Sequence, residues 1–185
     1  MKNSVRITGG DLKGKKIPFN FKNSLRPTSS KLREVLFSWI QFEIDGLKCL
    51  DLFAGTGALG IEAISRGARK IVFIESNKKH YQMLKNTIRE LNLNNKSMIL
   101  FKDGLDWIKE NNLSDFDLIF LDPPFNENHE KKVLDILEKK HNLKSSCKIY
   151  VEFSKFTEFK IPNSFTICKE KTLGDVKALL LKNDY

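Results

Sequence analysis

Asp122-Pro123-Pro124-Phe125 follows the apolar run Asp117-Leu118-Ile119-Phe120-Leu121. A carboxylate at the end of a buried strand, then two prolines and an aromatic ring, can activate an amino group on a flat heterocycle. Such a nitrogen is a poor nucleophile because its lone pair is delocalised into the ring. Hydrogen bonds from its protons to the Asp122 carboxylate and the Pro123 carbonyl would draw it toward a tetrahedral, nucleophilic form. Pro123 and Pro124 fix the backbone direction and remove competing N–H donors. Phe125 offers a flat face to a base that has left its stack. Alignment and polarisation then supply most of the rate, with no metal needed. Taken alone, Asp-Pro-Pro-Phe is also an ordinary loop entrance.

A second constellation lies upstream. Asp51-Leu52-Phe53-Ala54-Gly55-Thr56-Gly57-Ala58-Leu59-Gly60 contains G-x-G-x-x-G between a predicted strand and a predicted helix, the context this motif requires. Glycine permits the tight turn and lets a ligand approach the backbone. Glu75 ends the next predicted strand, 20 residues after Gly55, where a carboxylate can take both hydroxyls of a ribose. The ligand is either a dinucleotide or S-adenosylmethionine. A pyrophosphate favours a helix N-terminus free of acid. Asp51, just before the loop, would instead help hold a cationic amino-acid moiety. Asp103, on the same rim, could accept from an adenine amino group or cap the following helix. The cofactor candidates are thus Asp51, Phe53, Gly55, Gly57, Glu75 and Asp103.

These residues need a scaffold, and the hydrophobic pattern predicts one. Strand candidates fall at 49–53, 70–75, 97–101, 117–122 and 148–153. Helices are expected at 29–42, 58–65, 78–91, 105–110 and 130–140. The alternation predicts a mostly parallel sheet with helices on both faces. Two further strands, 165–169 and 176–181, joined at Gly174-Asp175, predict a C-terminal antiparallel hairpin. In such sheets ligands bind outside the carboxyl ends of the strands, which places Asp122 and the glycine loop on one rim. Short strands at 5–7 and 16–19 flank Gly9-Gly10-Asp11 and predict an N-terminal hairpin. The expected division is a small basic extension, 1–27, and a catalytic domain, 28–185.

The chain has 185 residues and a formal net charge of +9. Residues 1–34 hold nine Lys or Arg against two acids, while the rest hold 23 against 21. That asymmetry fits either a nucleic-acid contact or a solvated basic arm. No apolar run approaches a membrane span and no secretory leader is visible, so a cytoplasmic protein is expected. Cys49, Cys147 and Cys168 lack CxxC spacing and read as buried free thiols, not metal ligands. His80, His129 and His141 read as members of solvated faces.

The chain resembles the RsmD family of bacterial 16S rRNA (guanine-N2)-methyltransferases. Four blocks carry the resemblance: Arg6–Gly10 with Lys13-Gly14-Lys15; Leu25–Thr28 with Arg33–Trp39; Asp51–Ala63 with Ser65–Ala68; and Asp122–Phe125. Ser38, Lys15 and Leu173 stand where the family usually has Asn, Arg and an aromatic residue. The resemblance implies a Rossmann-like, seven-stranded class I methyltransferase fold that uses S-adenosylmethionine. It implies a guanine of 16S rRNA as target, presented in a partly assembled 30S subunit, with no metal or membrane partner. By position it assigns Asp122, Pro123, Pro124 and Phe125 to catalysis, and Arg6, Lys13, Lys15, Arg26 and Arg33 to an RNA-facing segment. Other readings are an adenine-N6 methyltransferase, a nicotinamide oxidoreductase and a catalytically inactive RNA-binding assembly factor.

Overall fold

A computed structural model of the chain describes residues 3–19, 29–124, 128–140, 142–158 and 160–184. Its centre is a seven-stranded sheet of order β5-β4-β3-β6-β7-β9-β8. The strands are β3 (Lys48–Asp51), β4 (Lys70–Glu75), β5 (Ser97–Phe101), β6 (Leu118–Leu121), β7 (Lys148–Ser154), β8 (Phe165–Leu173) and β9 (Val176–Asn183). The first five are parallel, and β9 and β8 add antiparallel at one edge. From β3 the chain winds outward to β4 and β5, then returns to lay β6 and β7 on the other side. The topological switch point therefore lies between β3 and β6, where open α/β sheets bind ligands.

Side-chain alternation explains why helices cover both faces. In β4, Ile71 and Phe73 enter one apolar cluster and Val72 and Ile74 the other; in β6, Leu118 and Phe120 oppose Ile119 and Leu121. The first cluster takes its helix contacts from α1 (Ser30–Trp39), α2 (Ala58–Ser65) and α3 (Lys78–Glu90). The second takes them from α4 (Gly104–Glu110) and α5 (His129–Lys140). A strand buried on both faces reads as a continuous apolar run, as Leu118-Ile119-Phe120-Leu121 does. Among the described residues, no helix is long and apolar enough to cross a membrane.

The N-terminal hairpin pairs β1 (Asn3–Arg6) with β2 (Lys16–Phe19). It has no core of its own, for Val5, Ile7 and Ile17 join the α1–α3 cluster. The boundary expected at 27 and 28 falls outside the described residues. Several element ends differ from the sequence reading by two or more residues, most at α1 and β8. Helix α1 stops at Trp39, because Phe42, 93% exposed, has no apolar face to extend. Strand β8 runs on past Lys169 to Leu173 through an irregularity between Ile167 and Lys169. An exposed edge strand rich in Lys and Glu has no inward face from 166 to 172, so period-2 reasoning loses it early.

Candidate active site

Strand β3 delivers Asp51 to the sheet rim, 2% exposed. The chain then turns through Gly55 and Gly57, both at positive φ, into α2. At Gly57 (φ 76) a Cβ would also overlap Leu84, so this position requires glycine twice over. The backbone N–H of Gly60, in the first turn of α2, donates to Asp51 Oδ2 at 3.3 Å. A carboxylate therefore already occupies the electropositive start of this helix. Burial, then the neighbouring Asp122 and Glu75, push Asp51 up to about 8, while the Gly60 bond opposes them. An acid so placed favours a cationic ligand group and repels a pyrophosphate.

Glu75 closes β4 and reaches across to the loop. Gly55 N donates to its Oε2 and Asn77 N to its Oε1, each at 2.7 Å. Burial raises its pKa against those two bonds. Each carboxylate oxygen keeps a further lone pair for a ligand hydroxyl. His80 Nδ1 lies 3.7 Å from Glu75 Oε1. His80 is thus buried at the site, contrary to the solvated face expected of it, and burial lowers its pKa. Asp103 is exposed and caps α4, accepting from Asp106 N at 3.0 Å. Phe53 is half-buried on the opposite face, stacked on His129 at 5.4 Å between ring centroids. His129 therefore also departs from a solvated face; His141 lies outside the described residues. Cys49 and Cys147 are buried free thiols, but Cys168 is exposed on β8, where it faces no helix layer.

Asp122 follows β6, two residues beyond the partner of Asp51 in the β3–β6 register. Position 122 shares its parity with Leu118 and Phe120, and so the pleat side of Asp51. Asp122 is close enough for its charge to raise the pKa of Asp51. Asp122 is half-buried, Pro123 buried and Pro124 exposed, so the acid and the following carbonyl stand at a mouth on the surface. Phe125 lies outside the described residues. The two motifs are thus brought together at the switch point. Sequence reasoning missed a further acid, Glu152 of β7, which is buried and faces Asp122 from the other side. Its signal was an acid at the far end of an otherwise apolar strand. Glu75, Asp51, Asp122 and Glu152 form a row across adjacent strands β4, β3, β6 and β7.

The basic segment divides. Arg6, Lys13 and Lys15 are exposed on the N-terminal hairpin. Arg26 lies outside the described residues. Arg33, expected to face RNA, is instead 1% exposed beneath the hairpin. It donates to the Arg6 carbonyl at 2.8 Å and lies 3.9 Å from Glu62. Helical periodicity explains the correction, since Leu32, Arg33, Leu36 and Phe37 share the inward face of α1. Glu62 in turn accepts from Thr8 N, Gly9 N and Arg66 Nε at 2.8–2.9 Å, which fastens the hairpin to α2.

A family model described as conserved hypothetical protein 95 matches residues 5–182. Ribosomal RNA small subunit methyltransferase D of Buchnera aphidicola is 40% identical, over 97% of this chain and 94% of the relative. Its Haemophilus influenzae counterpart by name is 38% identical, over 98% of this chain and 95% of the relative. Among solved structures, the Escherichia coli yhhF protein superposes with a TM-score of 0.89 at 28% identity, over 98% of this chain and 99% of that one. The glycine loop, the switch point and the Asp122 rim thus sit on a class I methyltransferase fold, and the chain belongs to the RsmD family.

Proposed function

We propose that this protein transfers a methyl group from S-adenosylmethionine to the exocyclic N2 of a guanine in 16S rRNA, in the cytoplasm, within a partly assembled 30S subunit. The observation that carries the reading is the pairing of Asp51 and Asp122 on adjacent strand ends at the switch point, with Asp122 near enough for its charge to raise the pKa of Asp51. The donor set fits the ligand. Asp51 is a buried acid suited to pair with a cationic group, and Glu75 has capacity for ribose hydroxyls. S-adenosylmethionine, when bound, supplies a methyl carbon made electrophilic by its sulfonium.

The chain's own work is alignment and proton handling. Asp51 receives the amino-acid end of the cofactor and Glu75 its ribose. Asp103, capping with Oδ1, offers its other oxygen to the adenine amino group. Asp122 and the Pro123 carbonyl accept from the two target amino protons, which concentrates the nitrogen lone pair toward the methyl carbon. Asp122 takes the proton that the nitrogen sheds once methylated. Pro124 keeps the backbone from turning an N–H into this mouth. Phe125 stacks on the base. Arg6, Lys13, Lys15 and Arg26 supply phosphate contacts, which position the RNA without reading its sequence. The test is incorporation of radiolabelled methyl groups into 30S particles from a strain lacking the gene, followed by mass mapping of the product. N2-methylguanine at one 16S position is expected. N6-methyladenine, or no transfer, would overturn the assignment.

A further inference from the structure

Glu152 has a built environment that packing alone does not explain. In β7 it follows Val151, whose registered partner is Leu121, so it stands beside Asp122 at the rim. Tyr150 and Glu152 point to the α1–α3 side of the sheet, and Tyr150 Oη donates to Glu152 Oε1 at 2.6 Å, both groups buried. Arg33 of α1 faces the pair electrostatically. On the β9 side the registered neighbour is Ala178, which brings no charge. The charged or titratable groups facing Glu152 are therefore Asp122, Tyr150 and Arg33. Burying a carboxyl is costly, and well-packed apolar residues commonly replace such networks without loss. This carboxyl sits where it meets the acid that carries the chemistry.

Two carboxyls facing each other across neighbouring strand ends do not both ionise readily. The more buried one keeps the proton. Burial first, and Asp122 second, hold Glu152 well above the usual carboxylate range, against Tyr150 and Arg33. Asp122, half-buried at the mouth, is then left as the anion that accepts from the amino group. We propose that Glu152, held by the Tyr150 hydroxyl, is a positioning residue for methyl transfer that sets the orientation of Asp122 toward the target nitrogen. This rests on the reading of Asp122 given above. Arg33, whose charge acts on Glu152, also donates to the carbonyl of Arg6 in the hairpin that carries the exposed cations.

The experiment compares E152A, E152Q and Y150F with wild type. For each it measures kcat and KM on 30S substrate, cofactor affinity by calorimetry, and the pH profile of kcat. In E152A, kcat is expected to fall by about 10- to 100-fold, the scale of a small misplacement, with cofactor affinity and KM for RNA within about threefold. E152Q keeps the shape, stays neutral and still accepts from Tyr150 Oη. It is expected to recover kcat to within about fivefold and to flatten any alkaline decline caused by ionisation of Glu152. Y150F, which frees Glu152 but keeps both carboxyls, lowers kcat several-fold, and it decides the matter if E152A does not fold. Wild-type kcat in E152A and Y150F would overturn the proposal. So would a Gln variant as impaired as the Ala variant. If wild type itself transfers no methyl group, or D122N transfers as well as wild type, the reading of Asp122 has failed, whatever the Glu152 variants do.

Discussion

The two halves of the rim are held by different means. On the β3–β4 side the acids are tied by main-chain amides: Asp51 by Gly60, Glu75 by Gly55 and Asn77. On the β6–β7 side Glu152 is held by the Tyr150 hydroxyl of its own strand, and the charge of Arg33 on α1 acts on it. Groups held by main-chain amides are fixed by donors whose own positions are set by the backbone. Side-chain-held groups can be biased by whatever touches their partners. The β3–β4 half is therefore the more rigid, and the β6–β7 half lies under the charge of Arg33, which also bonds the hairpin proposed to meet RNA. On that proposal, preorganisation suits a cofactor that is the same in every cycle, whereas a base that must leave its stack would meet a site open to influence from its docking surface.

Removing Asp122 is the most severe way to separate the halves. In D122A, methyl transfer is expected to drop by at least about 1,000-fold, because alignment and polarisation are lost together. Cofactor affinity stays within about threefold, since the amide-held half is intact. Radiolabelled-methyl transfer and titration calorimetry read the two quantities separately. A parallel loss of both would mean the halves are one unit. Next in size is Arg33. R33M leaves Glu62 and Glu152 without a buried guanidinium and is expected to cost about 3 kcal/mol of stability in urea unfolding. Charge reversal at Arg6, Lys13 and Lys15 should leave stability within about 0.5 kcal/mol. It should lower the slope of log affinity for RNA against log salt by about 0.7 for each phosphate that is no longer neutralised. If R33M instead flattened the salt slope at unchanged stability, Arg33 would be a surface reader and its burial irrelevant.

What the sequence displayed follows the same divide. The alternation of strands and helices, the glycine turn and the acid 20 residues beyond it are local patterns, and they placed the sheet, the switch point and the cofactor half. Asp122 was legible because Pro123 and Pro124 mark a strand end. Arg33 was not, since in a cluster of nine basic residues charge says nothing of direction, and only the helical phase with Leu32, Leu36 and Phe37 turns it inward. The role of Glu152 was hard to read for a related reason, although the acid in a largely apolar strand was a signal. Its partners come from β6 and α1, distant in the chain, and nothing local to Lys148–Ser154 announces them. His80 misled because α3 is polar along most of its length, yet His80, Leu84, Thr87 and Ile88 form its buried stripe.

The smallest effect concerns protons at the rigid half. Burial and the neighbouring acids push Asp51 up to about 8, so near pH 6.5 the cofactor-free protein is expected to hold it protonated. A bound ammonium group stabilises the ionised form and lowers that pKa. Binding must then release protons at pH values below about 8, and affinity must rise with pH toward that value and level off above it. The cofactor's own α-amino group, with an ordinary pKa of about 7.7–8.0, complicates the balance near neutrality but is fully charged near pH 6.5. At that pH, calorimetry in two buffers of different ionisation enthalpy should show release of close to one proton per cofactor bound by wild type. Asn has no proton to release, so D51N should show only the remainder contributed by Glu75 and His80. If the wild-type heat were independent of buffer, Asp51 would already be ionised before cofactor binds, and the rigid half would owe its form to the glycine turn alone.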